Sequence, residues 1–233
     1  MAKKKLLRFR ELETLERVFQ PPLEEVLHKD YYLKGNWVSK VYKNDLPLVL
    51  ELGCGKGEYT LGLARLDPSN NYLGIDIKGA RIWTGASTAR DQGLNNVAFL
   101  RTRIEFIGSF FARDEVDSIW ITFPDPQEKR RRQKKRLTGA IFLNRYMAFL
   151  KDGGEVNLKT DNHQLYLDTL ELVRLNELPI ERSTNNLYAE GWKDETDSIQ
   201  TYYESRFLSE GAKINFIRFR LPAGREIKSS HHE

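Results

Sequence analysis

Leu48-Val49-Leu50-Glu51-Leu52-Gly53-Cys54-Gly55-Lys56-Gly57 is the stretch from which the fold can be read. A short apolar run ends in three alternate glycines, and a helical pattern from Glu58 to Leu66 opens directly after them. Glycine lacks a Cβ, so such a loop turns sharply and lets a ligand come close to the main chain. In open parallel sheets, ligands bind at the carboxyl ends of strands, which is where this loop falls. A dinucleotide fingerprint would need a further glycine at position 58. Glu58 suits a helix N-terminus but repels a pyrophosphate. The loop therefore points to a nucleoside with a positive centre. On their own the glycines need serve only a tight turn. Asp76, 23 residues after Gly53 at the end of the next apolar run, supplies the second feature: a carboxylate placed to take both ribose hydroxyls. Glu51, just before the glycines, puts negative charge near a cationic cofactor.

Outward from the loop, short apolar runs alternate with helical windows. Strands are predicted at Leu48–Leu52, Asn71–Ile77, Val97–Thr102, Ser118–Phe123 and Glu155–Lys159. Helices are predicted at Glu58–Leu66, Arg81–Gln92, Ile141–Leu150 and Leu165–Leu175, with a short one near Glu105–Phe111. This alternation indicates βαβ units. Ile180–Leu187 and Lys213–Leu221 are strand-like, with a helix over Tyr202–Ser209 between them. The fold expected is α/β: a doubly wound, mostly parallel seven-stranded sheet with helices on both faces and an antiparallel last strand. Residues 1–46 lack periodicity and carry Pro21-Pro22 and Gly35-Asn36, so an irregular N-terminal arm is predicted. The main domain is set at 47–223, and 224–233 is read as a disordered tail.

The 233 residues fit one large domain. No apolar run approaches the ~18 residues of a membrane helix. A single cysteine and no apolar segment after the basic N-terminus favour the cytoplasm and no membrane partner. Net charge is +4, and Lys129 to Arg136 contributes seven positive charges, so the rest of the chain carries −3. A smaller cluster is Lys3, Lys4, Lys5, Arg8 and Arg10. Basicity this local is the footprint of a nucleic-acid or polyphosphate partner, although charge runs are often only solvated surface. Directly before the run stands Phe123-Pro124-Asp125-Pro126-Gln127-Glu128. The prolines restrict the backbone around Asp125, so a carboxylate just past a strand is held in place beside positive charge.

Glu51 to Gly57 with Gly74-Ile75-Asp76 resembles the motifs of class I S-adenosylmethionine-dependent methyltransferases. Phe123-Pro124-Asp125-Pro126, Lys129 through Leu137, Leu158-Lys159-Thr160-Asp161 and Thr201-Tyr202-Tyr203-Glu204 narrow the likeness. In order and spacing, from about Leu48 to Leu221, the chain is similar to the bacterial tRNA (guanine-N7)-methyltransferase family. The resemblance implies methyl transfer from S-adenosylmethionine to N7 of a guanine in the tRNA variable loop, leaving S-adenosylhomocysteine, with no metal. It places Asp125 at the reacting base and Glu51, Gly53, Gly55, Gly57, Asp76 and Arg103 at the cofactor. Lys129, Arg132, Asp161, Thr201, Tyr203 and Glu204 fall at the tRNA, and a monomer or homodimer is expected. The plainer roles are helix capping for Asp161, and a capping box for Thr201 with Glu204. Trp37, Trp83, Trp120 and Trp192 are read as packing or rim residues. The chain departs from the family pattern at Gln127, where tryptophan is usual, and at Arg132, where histidine is usual. It departs again at Arg103, a place commonly held by an acid that meets the adenine amino group.

Guanine N7 attacks with its own lone pair and carries no proton there, so the chemistry asks for orientation and charge stabilisation, not a general base. Two other readings fit parts of the sequence. An exocyclic-amine nucleic-acid methyltransferase would share the proline-rich tetrad, which usually ends in an aromatic where this chain has Pro126. A noncatalytic RNA-binding protein on a methyltransferase scaffold would share the charge pattern.

Overall fold

A computed structural model describes residues 2–189 and 194–229, with side chains from residue 7 onward. It divides into two compact units, residues 1–112 and 113–233.

In the first unit, β1 (Val18–Phe19), β2 (Leu48–Leu52), β3 (Asn71–Asp76) and β4 (Val97–Arg101) lie in the order β1-β4-β3-β2, all parallel. Every residue of β2 and β3 is buried. Burial on both faces explains why these strands read as continuous apolar runs and not as alternating ones. α2 (Glu58–Leu66) and α3 (Gly79–Asp91) connect them as βαβ crossovers. At the centre sits Phe99, 1% exposed. A Cβ added at Gly57, Gly74 or Gly85 would come within 2.7–2.8 Å of its ring, so three glycines from separate elements form its socket.

The N-terminal segment is not the irregular arm expected from its sequence. It holds α1 (Ala2–Leu12), the short strand β1 and a π-helical turn over Trp37–Tyr42. Aromatic packing, which leaves no periodic signal, organises it. Trp37 is fully buried, donates its indole N–H to the Phe110 carbonyl at 2.8 Å and packs against Phe19, Tyr31 and Phe111. α1 docks on α3: Trp83 donates to Glu11 at 2.7 Å, and the Arg8 guanidinium lies 4.6 Å from the Trp83 ring centre. The side chains of Lys3, Lys4 and Lys5 lie outside the described residues. β1 also makes eight strands among the described residues, where seven were predicted.

In the second unit, β5 (Val116–Thr122) pairs in parallel with β6 (Leu150–Thr160). β8 (Asn215–Leu221) runs antiparallel to both β6 and β7 (Ile180–Thr184), giving the order β5-β6-β8-β7. The last strand is thus antiparallel, as predicted. α4 (Ala140–Tyr146), α5 (His163–Leu175) and α6 (Tyr202–Ser209) complete the unit. α4 ends four residues before the sequence suggested, because Leu150 already belongs to β6 and the Gly153-Gly154 pair lies within that strand. Trp120 is buried, as expected, whereas Trp192 lies outside the described residues.

The tail is fixed through residue 228. Asn144 accepts from the Ile227 N–H at 2.8 Å and donates to its carbonyl at 2.9 Å. Asn176 does the same for Lys228, at 2.8 and 3.0 Å. Each side-chain amide thus satisfies both backbone groups of one tail residue, where a strand neighbour would otherwise be needed. The disorder expected from residue 224 therefore does not apply to 224–229, and residues 230–233 with their two histidines lie outside the described residues.

Candidate functional site

In the first unit the expected residues gather at the carboxyl ends of β2, β3 and β4. Gly53, Gly55 and Gly57 all have positive φ, at 79°, 57° and 72°, the region that other residues enter only with strain. The peptide N–H groups of Gly53 and Cys54 both donate to the Ile75 carbonyl. Asp76 braces the loop from the other side. One carboxylate oxygen accepts from the Gly55 N–H at 3.0 Å, the other from the Lys78 N–H at 2.7 Å. A carboxylate has about four lone-pair sites, so capacity remains on both oxygens. Glu51 is 3% exposed, and one of its oxygens accepts from both the backbone N–H and the hydroxyl of Thr60. Gly57 has no side chain with which to cap α2, and Glu51 does so from the preceding strand, with favourable charge for the helix dipole.

The three glycines divide by role. A Cβ at Gly53 would meet nothing within 4 Å, and one at Gly55 only the Gly53 carbonyl at 4.0 Å, so the backbone there faces open space. Gly57 instead faces the Phe99 ring and serves packing. Arg103 is exposed at the end of β4, beside Glu105, with 3.3 Å between their charged groups. The open glycines, the lone pairs left on both oxygens of Asp76 and the buried carboxylate of Glu51 fit a ribose joined to a cationic centre.

Gly85→Ala tests the coupling of this loop to the core. Its Cβ would lie 2.6 Å from the Lys56 carbonyl and 2.8 Å from Phe99. Overpacking of this kind costs about 1–3 kcal/mol. Chemical denaturation should show that loss, and calorimetry should show weaker cofactor binding because Lys56 lies between Gly55 and Gly57.

In the second unit the expected residues gather at the carboxyl ends of β5 and β6. Asp125 is exposed, and its carboxylate accepts from the Gln127 N–H at 3.0 Å. Two non-glycine residues flank it with positive φ, Phe123 at 47° and Gln127 at 49°. The Phe123 N–H donates to the Lys159 carbonyl, and its ring lies 6.0 Å from that of Phe207 on α6. Lys129 precedes a 3₁₀ turn over Arg130–Lys135 and is exposed, as are Arg130, Arg131, Arg132, Lys134 and Lys135 on the turn. Arg136 is not: it is 5% exposed and paired with Asp168.

Asp161 is half-buried at the end of β6, and burial pushes its carboxyl up, so it binds a proton at higher pH than an exposed aspartate. It does not cap α5. Asn162 does, accepting from the Leu165 N–H at 2.8 Å. Thr201 and Glu204 form the capping box of α6. Tyr203 is exposed. Glu204 is fully buried and takes the capping role that its spacing from Thr201 also allowed. One oxygen pairs with Lys159 at 2.8 Å and accepts from the Tyr188 hydroxyl at 2.6 Å. Burial and then Glu204 push the Tyr188 hydroxyl up, which keeps it a donor. Desolvation lowers the Lys159 ammonium, partly offset by Glu204. Sequence reading missed Lys159, Tyr188, Arg136 and Asn162 as organising residues, since nothing in their local spacing marks a partner 29 or more residues away.

A glycine loop after β2, an acid closing β3, and candidate site residues at strand carboxyl ends define the fold class as a class I methyltransferase. A solved antibiotic-related methyltransferase shares this fold with a TM-score of 0.59 at 18% identity, over 84% of this chain and 97% of that one. Residues 45–217 match the model of the family described as "Putative methyltransferase". The chain is 49% identical to a tRNA (guanine-N(7)-)-methyltransferase of Christiangramia forsetii, over 94% of this chain and 99% of that protein. It is 46% identical to one from Bacteroides thetaiotaomicron, over 95% and 87%. This chain belongs to the tRNA (guanine-N7)-methyltransferase family.

Proposed function

We propose that this protein methylates N7 of a guanine in the variable loop of tRNA, using S-adenosylmethionine. The observation that carries the reading is Asp125, exposed between two prolines at the end of β5 and followed by an exposed basic turn. When bound, S-adenosylmethionine supplies an electrophilic methyl group. Gly53 and Gly55 would leave room for it, Asp76 would take the ribose hydroxyls, Glu51 would supply negative charge for the sulfonium, and Arg103 with Glu105 would be left to meet the adenine. Asp125 accepts from the N1 and exocyclic amino donors of guanine. That grip turns N7, on the other side of the ring, outward, and sets an anion near the positive charge that develops on the purine. No side chain need remove a proton at N7. Asp161 and Tyr203 line the base, with Tyr203 placed to stack. Lys129 and Arg132 meet backbone phosphates. Glu204, together with Lys159, sets the start of α6 from beneath.

Incubation with methyl-labelled S-adenosylmethionine and unmodified tRNA should give labelled 7-methylguanosine on nucleoside analysis. Label on an exocyclic amine with none on N7 would overturn the reading in favour of an amino-group methyltransferase.

A further inference from the structure

The loop that carries Asp125 has little regular hydrogen bonding of its own. Pro124 and Pro126 have no backbone N–H to donate. Gln127 sits at φ 49°, a conformation that a non-glycine residue keeps only when its surroundings impose it. Two side-chain ties bracket that residue. On one side, the Arg136 Nε donates to the Pro126 carbonyl at 2.9 Å while another nitrogen of the same guanidinium donates to Asp168 at 2.5 Å. On the other, Asn162 donates to Glu128 at 3.1 Å. Asp168 lies on α5, where its second oxygen accepts from Gln164 at 2.7 Å. Asn162 caps the same helix.

Arg136 closes the basic run but differs from the rest of it. Lys129, Arg130, Arg131, Arg132, Lys134 and Lys135 are exposed, whereas Arg136 is 5% exposed and its partner's side chain 14%. A guanidinium is a planar fork, able to meet a carbonyl and a carboxylate at once from fixed directions, and it stays charged when buried. The Pro126 ring locks its own φ and restricts the preceding residue, Asp125, so a tie to the Pro126 carbonyl anchors the backbone that carries Asp125. We infer that Arg136 and Asp168 are positioning residues for methyl transfer: they fix the Pro126 carbonyl against α5 and thereby hold Asp125 in its working orientation, while the exposed members of the run bind tRNA.

This rests on the assignment of Asp125 above, and the experiment separates the two. Arg136→Gln, Asp168→Asn, Arg132→Ala and Asp125→Ala are compared well below each variant's melting midpoint. The readouts are kcat and KM for tRNA, cofactor affinity, and the slope of log tRNA affinity against log salt. Misplacement of a reacting group by about 1 Å costs on the order of 10²-fold. Arg136→Gln and Asp168→Asn should therefore lose about 10- to 100-fold in kcat, with KM and cofactor affinity within twofold and the salt slope unchanged. Arg132→Ala should instead flatten the slope by about 0.7–0.9, the value of one lost phosphate contact. If Arg136→Gln does not fold, Asp168→Asn decides alone. It leaves the Arg136 charge in place, so a phosphate-binding Arg136 predicts full kcat and a positioning one predicts the loss. Full kcat in folded Asp168→Asn, or a flattened slope in Arg136→Gln, overturns the inference while leaving Asp125 intact. Full turnover by Asp125→Ala overturns both.

Discussion

Replacing Asp125 with alanine is expected to lower kcat for methyl transfer by about 10³-fold, the scale set by loss of one preorganised charge-stabilising group. Cofactor affinity should be unchanged, because the bonds that brace the glycine loop, from Asp76 to the Gly55 and Lys78 N–H groups, do not include Asp125. Asp125→Asn sharpens the test. It keeps the size and the Gln127 contact on one oxygen. Its amide would face the guanine donors with a donor of its own and remove the negative charge. The asparagine variant should therefore be nearly as poor as the alanine one. Single-turnover methylation with saturating tRNA, alongside calorimetry with S-adenosylmethionine, checks both halves. Turnover within a few-fold of the parent in either variant would remove Asp125 from the reacting base.

The second large effect is on stability. Lys159 and Glu204 are 1% and 0% exposed and pair at 2.8 Å. Lys159 also donates to the Ile199 carbonyl at 3.0 Å, and Tyr188 donates to Glu204. Removing one partner leaves the other charge buried and uncompensated, which costs about 3–5 kcal/mol. Lys159→Met or Glu204→Gln should each show a loss of that order in denaturant unfolding. The double change, which leaves no buried charge, should recover much of it. That non-additivity separates a buried pair from two independent contacts. Equal, additive losses in the double variant would refute the coupling.

The residues that were legible in sequence share one property: their chemistry depends on near neighbours. Glu51 to Gly57 announces its turn through alternate glycines, Asp76 ends an apolar run, and Pro124-Asp125-Pro126 restricts itself. Each appears where the pattern placed it, at a strand's carboxyl end. The errors share the opposite property. The first 46 residues look shapeless because Phe19, Tyr31, Trp37, Phe110 and Phe111 pack without period. Residues 224–229 look like a free tail because their partners, Asn144 and Asn176, lie 83 and 52 residues away.

Burial of charge is the clearest case of what pattern cannot carry. Arg132 and Arg136 stand four apart in one basic run, and nothing in that run tells them apart. Only the folded chain brings Asp168 and the Pro126 carbonyl to Arg136 and leaves Arg132 in solvent. Glu204 reads equally as a cap or a substrate contact, and nothing near it in the sequence announces that Lys159 and Tyr188 close over it. The positions of most strands along the chain, the glycine loop, the acid at the end of the next strand and the aspartate between two prolines were already determined by residue order, because backbone freedom and hydrophobic period act over a few positions. Which charges grip a ligand and which hold the grip in shape was decided by tertiary structure alone, because desolvation depends on what distant segments cover.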